Sequence, residues 1–163
     1  STVIDKTLAL LPPLKLGGFR TVTRPSDIPG ALGELYIQPA AAPPCYDRWH
    51  LAAIRWGAGQ ANVFPETFEQ AGLALLQAIP RDSALLIMDE LGVMENAAPG
   101  FCRAVLSLLD SGLPILGVIK PKPGLLLDAV RAHPLTRLVE VTRDNRDALP
   151  ALLATEIAAG LRP

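Results

Sequence analysis

Residues 84–88, Ala-Leu-Leu-Ile-Met, form an unbroken apolar run that stops abruptly at Asp89 and Glu90. A short run without polar alternation suits a strand buried on both faces, as in a parallel sheet covered by helices on each side. Such sheets bind their ligands outside the carboxyl ends of their strands. The run therefore predicts a central strand that delivers two carboxylates to the binding edge. There, one carboxylate can hold the water shell of a magnesium ion while its neighbour orients or deprotonates a water, as nucleotide hydrolysis requires.

The flanking sequence supports that sheet. Residues 66–79 place Phe68, Leu75, Leu76 and Ile79 on one helical face and end at Pro80. Residues 99–110 place Phe101, Val105, Leu108 and Leu109 inward, with Ser111-Gly112 as a stop. Residues 113–119 read as a second buried strand, 125–132 as a short helix, and 138–142 as a third strand. Residues 148–161 read as a closing helix with Leu149, Leu152, Leu153 and Ile157 inside. Strands alternating with helices over short connections call for parallel pairing and right-handed crossovers.

The first half is less regular. Residues 1–11 read as a helix, with Ile4, Leu8 and Leu11 in phase and Pro12-Pro13 ending it. Residues 16–23 suggest a strand entered through Gly17 and Gly18. Residues 34–38 and 50–56 are β-prone and separated by a loop containing Ala-Ala-Ala-Pro-Pro-Cys, which predicts a hairpin. Trp49 and Trp56 fall on opposite faces of its second strand, one of them in the core. Together these signals predict a single three-layer α/β domain over residues 1–163, with a mostly parallel central sheet, helices on both faces and a β-hairpin extension.

Composition narrows the function. Half of the 163 residues are apolar, 5% are aromatic and the formal net charge is -1. Without a block of like charge, nothing points to nucleic acid or to an anionic membrane. No apolar run approaches the ~18 residues of a membrane span, and no basic-then-apolar leader is present. Cys45 and Cys102 belong to no C-x-x-C unit, which fits two structural thiols in a reducing cytoplasm. His50 and His133 read as isolated from any second His or Cys at ligand spacing, which argues against zinc. A soluble cytoplasmic protein is expected.

An apolar strand ending in Asp-Glu is common and also fits two residues that merely cap the next turn. The longer string is more specific. Met88-Asp89-Glu90-Leu91-Gly92-Val93-Met94-Glu95 resembles the Asp-Glu-Ile-Gly-x-Met-Glu signature of the cancer-related nucleoside-triphosphatase family, a group of small P-loop NTPases. Gly17-Gly18-Phe19-Arg20-Thr21 is similar to that family's Gly-Phe-x-Thr strand. Residues 63–69, Val-Phe-Pro-Glu-Thr-Phe-Glu, resemble the lead into its middle helix, and residues 141–147 resemble its Thr-x-x-Asn-Arg segment. The resemblance implies a P-loop NTPase fold and a magnesium-dependent hydrolase of ATP- or GTP-type nucleoside triphosphates.

One part of that pattern is missing. The phosphate-binding motif G-x-x-x-x-G-K-[ST] occurs nowhere in the chain. Yet Ser1-Thr2-Val3-Ile4-Asp5-Lys6 reads as its continuation, the motif's own hydroxyl residue followed by the first helical turns. A leader of about a dozen residues, one strand plus a loop, is expected ahead of Ser1, with its strand beside the one that carries the acidic pair. On that reading Ser1 and Asp89 hold magnesium, Thr2 contacts an inner phosphate, and Glu90 orients the attacking water.

Other candidates follow from position. Lys120 and Lys122 lie after a strand on the ligand side and can neutralise phosphate, or be solvated loop charges stiffened by prolines. Asn145 and Arg146 resemble the family's Asn-Arg pair and suggest base or ribose contact; Asn145 also suits a helix cap. Glu95 either orients a neighbouring group or caps the helix near Pro99. Two other functions compete with hydrolysis. The acidic pair of a nucleotide or small-molecule kinase would orient a hydroxyl instead of water, and a chain lacking a phosphate loop would be a non-catalytic nucleotide-sensing module.

Overall fold

The structure is a computed structural model that describes residues 1–161. A six-stranded sheet runs through its centre in the order β4-β3-β2-β1-β5-β6. The strands are β1 (Leu16–Arg24), β2 (Gly33–Pro39), β3 (Leu51–Arg55), β4 (Ala61–Val63), β5 (Leu85–Leu91) and β6 (Ile115–Ile119). The helices are α1 (Thr2–Ala9), α2 (Pro65–Thr67), α3 (Leu73–Gln77), α4 (Pro99–Leu109), α5 (Leu125–Ala132) and α6 (Leu149–Gly160). A π-helical turn, Phe68–Gly72, joins α2 to α3, so residues 65–77 form one continuous helical run.

Alternation along β5 sorts the core into two layers. Leu85 and Ile87 face α1 and α6, packing with Ile4, Leu8, Leu153 and Ile157. Met88 and Leu91 face the other side, packing with Phe68, Phe101 and Leu127. Phe101 anchors that layer by meeting Phe19 edge-on at 5.3 Å and Phe68 at 5.8 Å between ring centroids. Helices thus cover both faces, and the three-layer α/β arrangement is as expected.

The sheet is more mixed than a mostly parallel one. β1 with β5 and β5 with β6 are parallel, whereas β1 with β2, β2 with β3 and β3 with β4 are antiparallel. The expected hairpin forms as β2 and β3, and it is extended by β4 and continuous with β1. β1 and β5 approach closely because residue 18 has no side chain: a Cβ there would lie 2.1 Å from the Ile87 carbonyl oxygen, and φ is +93°.

Four expectations need correction. Residues 138–142 form no strand. Leu138, Val139 and Val141 are exposed, and a cavity of about 800 Å³ separates this stretch from β6. A further strand cannot sit beside β5, whose two edges are taken by β1 and β6; the unpaired parallel edge among the described residues belongs to β6. Neither tryptophan lies in the core: Trp49 is exposed, and half-buried Trp56 donates its indole N–H to Asn62 Oδ1 at 2.6 Å. Leu152, expected inside, is also exposed. No helix among the described residues is long and apolar enough to cross a membrane.

Candidate functional site

Asp89 lies two residues beyond Ile87 and therefore on the same face of β5, towards α1. It is 4% exposed. The Ser1 main-chain nitrogen donates to its Oδ2, so the start of α1 meets the end of β5. The first N–H groups of a helix lack intrahelical acceptors and carry the positive end of its dipole, so a carboxylate is favoured there. Arg20 stands level with Asp89 in the β1–β5 register, and its guanidinium donates to Asp5 of α1. Asp5, Arg20 and Asp89 thus gather at one corner beside the start of α1. Arg20 Nε is buried there without a partner among the described residues.

Glu90 escapes the ladder. Asp89 pairs with Val118 and Leu91 with Ile119, leaving Glu90 as an extra residue in β5. Such a bulge re-aims its side chain. The Glu90 carboxylate, half-exposed, meets Lys120 Nζ at 2.9 Å. Lys120 is held in place from two directions: its N–H donates to the Leu91 carbonyl at 2.9 Å, and Arg131 donates to the Lys120 and Lys122 carbonyls at 2.7 and 2.9 Å. Arg131 escapes a search for site residues because it lies on α5, with no motif to mark it.

Glu95 is 3% exposed and closes the turn after β5, accepting the Gly92 N–H at 3.1 Å. Burial pushes its carboxyl above the usual range, more than the backbone hydrogen bonds lower it. It does not cap α4. That role belongs to Glu69, whose carboxylate accepts the Gly100 and Phe101 N–H groups from 31 and 32 residues away. The acidic pair does not cap the following turn either, since Asp89 meets Ser1 and Glu90 meets Lys120.

The remaining candidates lie in other surroundings. Thr2 and Lys122 are exposed. Asn145 uses its side chain locally, accepting from the Thr142 N–H at 2.8 Å and donating to the Glu140 carbonyl at 2.7 Å, which fixes the loop before α6. Arg146 is exposed, 3.9 Å from Asp147, and Asp147 reaches Lys6 of α1 at 3.3 Å. The structure thus joins Ser1 to Asp89 and Glu90 to Lys120, and links the Asn145–Arg146 loop to α1 through Asp147.

The corner suits a hard cation. Asp89 is buried beside the start of α1, and the Ser1 hydroxyl and Asp89 carboxylate supply oxygen donors of the kind magnesium prefers.

Comparison with known proteins agrees with the motif and the fold. Residues 51–154 match the protein family described as NTPase. The chain is 34% identical over 115 residues to nucleoside-triphosphatase THEP1 of Thermofilum pendens, covering 67% of this chain and 63% of that protein. It is 31% identical over 140 residues to the cancer-related nucleoside-triphosphatase homolog of Mus musculus, covering 81% of this chain and 68% of that protein. The crystal structure of THEP1 from the hyperthermophile Aquifex aeolicus superposes with a TM-score of 0.72 at 18% identity, covering 96% of this chain and 91% of that one. The solution structure of a human cancer-related nucleoside triphosphatase gives 0.61 at 24% identity, covering 99% and 92%. These two structures speak to the fold alone. Against the Thermofilum pendens relative, the chain spans less than two thirds of the other protein's length.

Proposed function

The chain belongs to the NTPase family, and on that premise we propose that it is a magnesium-dependent nucleoside triphosphatase acting on ATP- or GTP-type substrates. One observation carries the reading: a buried Asp89 at the start of α1 with a half-exposed Glu90 beside it, within reach of a fixed Lys120. Buried and exposed carboxylates at adjacent positions suit two different tasks.

In this reading Asp89 and the Ser1 hydroxyl hold magnesium, which when bound neutralises charge on the phosphate oxygens. Glu90 accepts a hydrogen bond from the attacking water and orients it towards the terminal phosphorus. Lys120 keeps the Glu90 carboxylate in place in the absence of substrate. A phosphate oxygen competes for the same ammonium, so substrate binding frees Glu90 to take the water's hydrogen bond. Arg131 keeps the Lys120 backbone fixed while the ammonium changes partner. Catalysis rests on positioning and charge, since phosphoryl transfer gives the protein little covalent chemistry to perform.

Phosphate also needs a backbone cradle, and the start of α1 is the right kind of place for one. We propose that a Gly-rich loop ending in Gly-Lys precedes Ser1 in the encoded protein and that both make one domain with residues 1–163. The encoded sequence upstream of Ser1 tests this directly; an initiator Met immediately before Ser1 would favour the nucleotide-sensing module instead.

The activity is tested by phosphate release from ATP and GTP with the full encoded protein, with and without magnesium. Glu90→Gln is expected to abolish turnover and spare nucleotide binding, and Asp89→Asn to weaken the magnesium-dependent rate. Wild-type rates in both variants would remove the acidic pair from the mechanism. Faster phosphate transfer to an added nucleoside than to water would make the protein a kinase.

A further inference from the structure

The loop between β2 and β3 brings together a thiol, a carboxylate and an imidazole. One ligand atom from each of Cys45, Asp47 and His50 lies within 4.8 Å of the other two. Cys45 Sγ donates to Asp47 Oδ2 at 3.1 Å, and His50 Nδ1 lies 2.7 Å from Asp47 Oδ1. All three lie along Cys45-Tyr46-Asp47-Arg48-Trp49-His50, so His50 does have a Cys at close spacing, contrary to the expectation from sequence.

The backbone under the cluster is fixed at both ends. Gln38 is 2% exposed, and both ends of its side-chain amide hold Cys45: Oε1 accepts the Cys45 N–H at 2.6 Å and Nε2 donates to the Cys45 carbonyl. The His50 carbonyl accepts the Ile37 N–H at 2.9 Å, which ties it to β2. Between them Tyr46 packs edge-on against Tyr36 at 5.2 Å. A buried Gln holding a loop backbone leaves the side chains above it little freedom, so three donors gathered there lose little entropy on sharing one ion.

We propose that Cys45 Sγ, one Asp47 carboxylate oxygen and His50 Nδ1 form a zinc(II) site with a water as fourth ligand. The donor set decides the ion. Thiolate and imidazole suit zinc, whereas magnesium takes oxygen ligands. Bonds of about 2.0–2.3 Å in a tetrahedron place donors about 3.5 Å apart. Cys45 Sγ and His50 Nδ1 lie against opposite oxygens of Asp47, at 3.1 and 2.7 Å, and one ligand atom of each residue is within 4.8 Å of the others, so gathering all three on one ion takes side-chain shifts of about 1 Å. Cys45 and Asp47 are exposed, which lets an ion enter from solvent. On binding, the thiol S–H bond breaks, an S–Zn bond forms and the proton passes to water. The site is independent of Asp89 and of the proposed nucleotide chemistry.

The test uses the chelator-treated wild-type protein and cobalt(II) as a spectroscopic substitute. One equivalent of cobalt is expected to give a thiolate-to-metal charge-transfer band that one equivalent of zinc removes. Cys45→Ser should lose the band, and His50→Ala or Asp47→Asn should weaken zinc binding by more than about tenfold, the lower end of what altering even a ligand's neighbour costs. Cys102→Ser should keep the band. A measurement that needs no variant runs alongside: zinc, but not magnesium, should protect Cys45 from iodoacetamide, read by peptide mass mapping. The absence of the band in wild type, its survival in Cys45→Ser, or alkylation of Cys45 at the same rate with and without zinc would overturn the proposal.

Discussion

The N-terminus of α4 offers a sharp test of the structural reasoning. A helix start normally satisfies its free N–H groups with a nearby Ser, Thr, Asp or Asn, and Ala98 cannot do so. Glu69, from the helical run on the same face, takes over. Its two oxygens receive the Gly100 N–H at 2.9 and 2.8 Å, and Oε2 also receives the Phe101 N–H at 3.2 Å. A Cβ at residue 100 would lie 2.3 Å from Glu69 Oε1 and would push the carboxylate aside. Replacing Glu69 by Ala leaves the N–H groups of buried Gly100 and Phe101 without an acceptor.

The magnitude follows from those groups. Losing a helix cap costs about 1 kcal/mol and up to about 2, and each buried unsatisfied donor costs about 1–3. Glu69 is only half-buried, so water can reach part of the gap and the lower end applies. Glu69→Ala is expected to destabilise by about 2–3 kcal/mol. At about 2–4 °C per kcal/mol for a domain of this size, Tm should fall by about 4–12 °C. Glu69→Gln keeps an acceptor but loses the charge, and should cost about 1 kcal/mol. Urea unfolding at neutral pH with an unchanged m-value is the assay. A Glu69→Ala loss under about 0.5 kcal/mol would refute the cap, and equal losses in both variants would refute the role of charge.

Three further outcomes can be checked. Burial raises the Glu95 carboxyl pKa, so the folded protein holds that proton more tightly than the unfolded chain. Its contribution to stability is full below the ordinary value of 4.5 and is lost as pH rises through the raised folded value. Glu95→Gln should therefore gain stability relative to wild type as pH rises from about 4.5 to 8, and a difference independent of pH in urea titrations would contradict this. Gly18→Ala should cost at least about 4 kcal/mol or prevent folding, because its Cβ would strike the Ile87 backbone; Gly57→Ala, with open space around it, should be nearly neutral by thermal unfolding. Lys120→Ala should change stability by less than about 1 kcal/mol, since its partner is half-exposed, while lowering turnover by about 10²-fold; equal turnover would exclude it from the site.

What the sequence makes legible is whatever a single element determines. The unalternated run at residues 84–88 is enough to place β5 inside the sheet, paired on both sides, and α5 matches its expected bounds. The same periodicity misleads where a second element decides. Leu138-Val139-Glu140-Val141-Thr142 has strand-forming side chains, yet strand propensity is realised only against a neighbour, and here a cavity lies between this stretch and β6. Glu95 shows the other kind of limit. Its spacing before Pro99 suits a cap, but α4 is capped by a carboxylate 31 residues earlier, a contact that depends on how two helices pack. Cys45 and His50 are close in the chain, but what holds their loop in place is Gln38, a buried amide in a strand that gives no local sign of it. The proposed nucleotide site combines both cases: Asp89 and Glu90 follow from one strand, whereas Lys120 joins them through the pairing of β5 with β6 and the Arg131 contact across to α5. Mutations at Arg131 should therefore act on Glu90 without touching it, and Arg131→Ala should lower turnover while leaving nucleotide affinity nearly unchanged.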